Sequence, residues 1–138
     1  MSAEQIIAAA RAQLGVRFQH QARAPGLALD CAGLLVHVLD VLGLPYVDER
    51  GYPRQPYKGL IKSILDAQSS LRLLPNKSEA AAGDVLLMRL KIEPQHVAIY
   101  TGKTIIHSYS QVGKVVEHDL TPDWLRLITN VYRIEPAA

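Results

Sequence analysis

The chain has 138 residues, of which 49% are hydrophobic, a formal net charge of +2 and a single cysteine. That length suits one domain around one core. The scattered Lys and Arg leave no nucleic-acid footprint, one cysteine excludes an internal disulfide, and no apolar stretch approaches the roughly 18 residues of a membrane span. The first residues, Met1-Ser2-Ala3-Glu4-Gln5, lack the basic head and apolar stretch of a secretory signal. These features predict a single domain over 1–138, made without a signal peptide, with neither nucleic acid nor membrane as a partner.

In chain order, Ser2 and Gln5 have capping-box spacing, and Ile6, Ile7, Ala10 and Leu14 recur at helical intervals. They predict a helix over 3–14, stopped by Gly15. Residues 16–29 read as a loop with Pro25-Gly26 as its turn. The run Leu34-Leu35-Val36-His37-Val38-Leu39 predicts a second helix over 31–42, stopped by Gly43 and Pro45. Residues 44–56, with Pro45, Pro53 and Pro56, read as an irregular loop. A third helix fits 57–69 on the stripe Leu60, Ile61, Ile64 and Leu65. After Pro75-Asn76-Lys77 the pattern turns to strands, at about 84–90, 96–101, 104–110, 114–118 and 128–134. Helices first and antiparallel strands second predict an α+β fold, with the cysteine helix packed on the sheet.

Cys31 falls in the first turn of the second helix, where unpaired amides and the positive end of the helix dipole favour a thiolate. A lone cysteine is more often a small buried hydrophobe. A second segment argues otherwise. His96 to His107 reads as a hairpin turning at Gly102-Lys103, a two-residue loop with Gly first. In that register Tyr100 faces Ile105, Ala98 faces His107, and His96 faces Tyr109. These six residues then share one face. His96 and His107 become diagonal neighbours, roughly 7–8 Å apart at the backbone, with small Ala98 between them. One imidazole is placed to take the thiol proton and the other to orient it, which is the logic of acyl-transfer enzymes.

Asp30-Cys31-Ala32-Gly33, Gly83-Asp84-Val85-Leu86-Leu87-Met88, and His96-Val97-Ala98-Ile99-Tyr100-Thr101-Gly102 followed by His107 together resemble the NlpC-type cysteine peptidases. Gly15-Val16-Arg17-Phe18 is similar to that family's Gly-Thr-Pro-Tyr stretch, and the resemblance runs from about residue 5 to about residue 134. It implies a papain-like fold, with N-terminal helices and a C-terminal antiparallel sheet of five to six strands. It implies a hydrolase that cuts peptidoglycan stem peptides between D-glutamate, through its γ-carboxyl, and the diamino acid. Cys31 is then the nucleophile, His96 the general base and His107 its orienter, with neither metal nor organic cofactor. The long stretch between cysteine helix and sheet resembles tail-assembly and tail-tip peptidases of bacteriophages. That implies phage tail proteins as partners and delivery in a virion or by lysis, the alternative being a cytoplasmic protein. A catalytically idle tail component and an amidase or acyltransferase on the same fold are the other readings.

Two residues depart from the family pattern. Ala32 stands where a Ser is usual, and Phe18 where a Tyr is usual. Both missing hydroxyls would touch substrate, so Phe18, Asp30 and Ala32 are expected at the substrate site, with Gln19, His20 or Gln21 as replacement donors. His20 reads as a substrate contact or a loop-surface residue, since loops carry both. His37 lies about 240° around the helix from Cys31 and cannot share its face. His118, between Glu117 and Asp119, reads as a surface residue. A zinc site at Cys31 and two histidines would lack a fourth ligand at a suitable spacing.

Overall fold

The computed structural model describes residues 2–54, 59–91 and 95–136. The capping box forms: the Gln5 amide donates to the Ser2 hydroxyl at 3.2 Å, and the Ser2 amide donates to the Gln5 side chain at 2.8 Å. It starts α1 (Ala3–Arg11), whose buried Ile6, Ala9 and Ala10 face the core. The helix ends a turn earlier than its periodicity predicts. α2 (Cys31–Val41) and α3 (Leu60–Asp66) follow. The 57–58 part of the third helix expected from the sequence lies outside the described residues.

The five strands read from the sequence are all present. They are β5 (Val85–Met88), β6 (His96–Tyr100), β7 (Thr104–Tyr109), β8 (Lys114–Asp119) and β9 (Ile128–Ile134). They lie side by side in the order β8-β7-β6-β5-β9, all antiparallel. Four short strands extend this block to nine. β4 (Leu71–Leu73) adds to β9 at one edge. At the other edge are β1 (Arg17–Phe18), β2 (Arg23–Ala24) and β3 (Ala28–Leu29). The β1–β3 pair is parallel, so the whole sheet is mixed. The 16–29 stretch expected as a loop thus contributes three strands of two residues each.

Both faces of the central strands are covered. Val85, Leu87, Val97, Ile99 and Ile106 pack under the helices with Ile6, Leu34 and Val38. Leu86, Met88, Ala98 and Ile105 point the other way, beneath Trp124 of the short α4 (Pro122–Leu125) and Leu127. A strand buried on both faces reads as a continuous apolar run, which explains Val85-Leu86-Leu87-Met88. Asp84 opens this strand as a structural anchor. Its buried carboxylate takes two hydrogen bonds from Arg133 on β9, both 3.0 Å, and one from the Ala81 amide at 2.8 Å. Among the described residues, no helix is long and apolar enough to cross a membrane.

Candidate active site

Cys31 is the first residue of α2, and Asp30 is the helix N-cap, accepting from the Gly33 amide at 2.7 Å. Asp30 does more than cap. Its carboxylate also takes hydrogen bonds from Arg23 at 2.9 Å, from the Gln21 amide at 2.8 Å and from the Tyr52 hydroxyl. The cysteine is therefore held by a buried polar knot that draws in the 16–29 stretch and the loop after α2. Gly33 permits this closeness. A Cβ there would sit 2.3 Å from the Ala22 carbonyl oxygen.

The hairpin turns at Gly102, whose φ of +98° suits glycine alone, with Tyr100 opposite Ile105 as the sequence predicts. His96 and His107 meet across it: Nε2 of His96 lies 2.6 Å from Nδ1 of His107. The row continues. Nε2 of His107 lies 2.8 Å from Nε2 of His118, and Nδ1 of His118 lies 3.1 Å from the Asp119 carbonyl oxygen. His118, expected on the surface, is half-buried and joined to the other two. The reason is register: β8 sets His118 opposite Ile105, on the face that carries the other histidines. Cys31 and His96 open together on a cleft of about 340 Å³, walled by Phe18, Tyr109, Trp124 and Leu127.

The sequence profile of the NlpC/P60 family matches residues 15–132. The chain belongs to the NlpC/P60 family. No match was found among curated protein sequences. Solved structures share the fold. An NlpC/P60 family protein from Bacillus cereus superposes with a TM-score of 0.72 at 22% identity, over 99% of this chain and 41% of that one. NlpC1 from Trichomonas vaginalis gives 0.71 at 16%, over 96% and 44%. The NlpC/P60 domain of the peptidoglycan hydrolase SagA gives 0.68 at 20%, over 97% and 100%. This chain thus spans under half of the first two proteins and all of the isolated SagA domain.

Charge in this NlpC/P60 site is scarcer than the sequence suggests. Burial pushes the Cys31 thiol up to about 12, and the neighbouring Asp30 carboxylate adds to it. The Val97 and Ala32 amides and the Arg23 charge pull the other way and lose. The sequence predicts the reverse, a thiol lowered by the helix end and the nearby imidazole. The N-cap carboxylate, one residue from the sulfur, offsets that end. Burial also holds His96 down to about 4, with His118 contributing, and His107 to about 2, with His96 and His118 contributing. The resting pair is a neutral thiol and a neutral imidazole.

This carries a consequence for acid stability. An unfolded histidine titrates near 6.5. Between that value and 4 the unfolded chain binds protons at positions 96 and 107 that the folded chain refuses. The stabilisation is complete above about pH 6.5 and is lost as pH falls toward the folded values. We expect unfolding at pH 5 to take up close to two protons at these residues, a slope of up to about 2.7 kcal/mol per pH unit. Denaturant melts at pH 7, 6, 5 and 4.5 measure it. A flat profile between 6 and 4.5 would show that the folded rings are already charged.

Of the residues expected at the substrate site, Phe18 reaches the cleft. Asp30, 2% exposed, is engaged by internal partners and serves the scaffold. Ala32 packs against the helical core. Gln19 is exposed and accepts from Arg17 at 3.0 Å. His20 stands edge-on to the Tyr52 ring at 5.6 Å. Gln21 donates to the Tyr52 carbonyl at 2.8 Å. His20 and Gln21 thus turn to Tyr52, and Gln19 pairs with Arg17 two residues before it. The sequence reading missed Tyr109 and Trp124 as walls and His118 as a partner. Four nitrogens of the three histidines pair in a row instead of converging on a point. Among the described residues, no group of three or more His, Cys, Asp and Glu is arranged to hold a metal.

Proposed function

We propose that this domain is a cysteine peptidase acting on peptidoglycan stem peptides, at the bond between the γ-carboxyl of D-glutamate and the diamino acid. The observation that carries the reading is the shared cleft of Cys31 and His96, with His96 braced by His107 at 2.6 Å. Family membership and the peptidoglycan hydrolases SagA and RipB of Mycobacterium tuberculosis among its structural relatives support it. Arg54 and Lys91 border the same cleft and suit a substrate rich in carboxylates.

In this reading the sulfur attacks the scissile carbonyl while His96 takes the thiol proton, so a neutral pair becomes charged as the C–S bond forms. The backbone N–H of Cys31, at the start of α2, stabilises the oxyanion. The tetrahedral intermediate collapses, His96 returns the proton to the leaving amine, and a thioester remains on Cys31. Water then attacks the thioester as His96 takes its proton, the C–S bond breaks, and the departing sulfur takes that proton back from His96 as the acid is released and ionises in solvent.

We also propose that the domain works in a phage tail, delivered to the wall in the virion or by lysis, a reading supported by the long stretch between the cysteine helix and the sheet. Incubation with sacculi, followed by mass spectrometry of the fragments, tests the enzymatic reading. New amino groups on the diamino acid are the expected product. Intact sacculi would favour an assembly role. A stem peptide transferred to an added amine would favour an acyltransferase.

A further inference from the structure

His118 lies outside the Cys31, His96 and His107 set, yet it ends a row of three imidazoles. Its Nδ1 faces the Asp119 carbonyl oxygen at 3.1 Å, and a carbonyl can only accept. Nδ1 therefore carries the proton. In the neutral form of His118 that one N–H leaves Nε2 bare, and Nε2 accepts from Nε2 of His107, 2.8 Å away. That leaves Nδ1 of His107 bare, and it accepts from Nε2 of His96 at 2.6 Å. The nitrogen of His96 without a proton is then Nδ1. With all three rings neutral, the opposite polarity would set a lone pair of His118 against the carbonyl lone pairs and would leave no bare nitrogen on His96 facing Cys31.

The surroundings hold the rings in line. Tyr109 stacks on His107 at 5.1 Å and 25°. The Trp124 indole lies 5.3 Å from the His107 ring and 4.8 Å from the His118 ring. Burial keeps His96 and His107 neutral.

We propose that His118 is a positioning residue: by accepting from His107 it fixes the tautomer of each ring in the row and leaves Nδ1 of His96 as the base for Cys31. The inference rests on the peptidase reading for its purpose, and its first test needs no substrate. Long-range 1H–15N spectra of protein labelled at histidine nitrogen report which nitrogen bears each proton. We expect Nε2–H in His96 and His107 and Nδ1–H in His118. His118→Phe keeps a ring against Trp124 and removes the acceptor. It should mix the His107 tautomers and lower both kcat on stem peptides and the alkylation rate of Cys31 about tenfold, with KM unchanged. His118→Gln, whose amide oxygen accepts again, should recover both rates to within about threefold. An Nε2–H tautomer for wild-type His118, unmixed tautomers in His118→Phe, or a glutamine variant as slow as the phenylalanine one would each overturn the proposal. Spectra and alkylation answer this even if the domain leaves sacculi intact.

Discussion

On the proposed peptidase reading, Cys31→Ala and His96→Ala should each abolish cleavage of stem peptides, by at least about four orders of magnitude, and the double variant should be no worse than either single one. Residues that act as one unit lose their effect together. Without the sulfur there is no covalent step, and without His96 a thiol held up at about 12 stays protonated. His107→Ala should cost less, about 10- to 100-fold, because an orienting group contributes less than the base it holds. The three variants separate the roles only if they fold. Cys31 is half-buried at a helix end, so its loss should hardly move the melting temperature. His107 is fully buried, and its variant should melt earlier. Fragment release from sacculi and thermal melts on the same preparations check both claims. Full activity in His107→Ala would mean that another group holds His96.

How much of this site the sequence carried depends on the range of the interactions involved. The β6–β7 hairpin was legible because its two arms alternate with period two and Gly102 fixes a two-residue turn, which fixes the register. The cysteine helix was legible because its signals are local: Asp30 as cap, an apolar run, then Gly43 and Pro45. His118 was misread one hairpin later. The turn around Gly113 is longer, and a slip of one residue there sends the whole strand to the other face. With Tyr109 opposite Lys114, as observed, His118 falls opposite Ile105 and joins the histidine face. The two-residue strands at 17–18, 23–24 and 28–29 are too short to show any period.

The thiol was misjudged for a related reason. A helix end is visible in sequence, but the burial of Cys31 comes from the tertiary fold, and the carboxylate beside it is fixed by Arg23 and Tyr52, brought in from both sides. The same is true of the substrate residues. Gln19, His20 and Gln21 look like free loop donors in the sequence. In the fold, partners within this edge of the sheet and the Tyr52 loop take them up.

Asp30→Asn should therefore change two quantities in opposite senses. Stability should fall by about 3 kcal/mol, the lower end of the range for breaking a buried ion pair. The low end applies because Arg23, only 6% exposed, keeps Asp48 at 2.9 Å. The thiol, by contrast, should become more acidic. The carboxylate is the second cause of its upward shift, after burial, and the Arg23 charge that opposes it would remain. Alkylation by iodoacetamide should climb beyond pH 9 in the wild type without a plateau near neutrality. In Asp30→Asn the same curve should move to lower pH, while the denaturant midpoint drops. Arg23→Met added to Asp30→Asn should recover part of the stability by removing a buried guanidinium left with Asp48 as its one carboxylate partner. It should also take back part of the gain in thiol acidity, since the charge that favoured the thiolate is gone. A thiol curve unmoved by Asp30→Asn would show that burial alone sets the protonation of Cys31, and the knot would then be a scaffold with no electrostatic hold on the nucleophile.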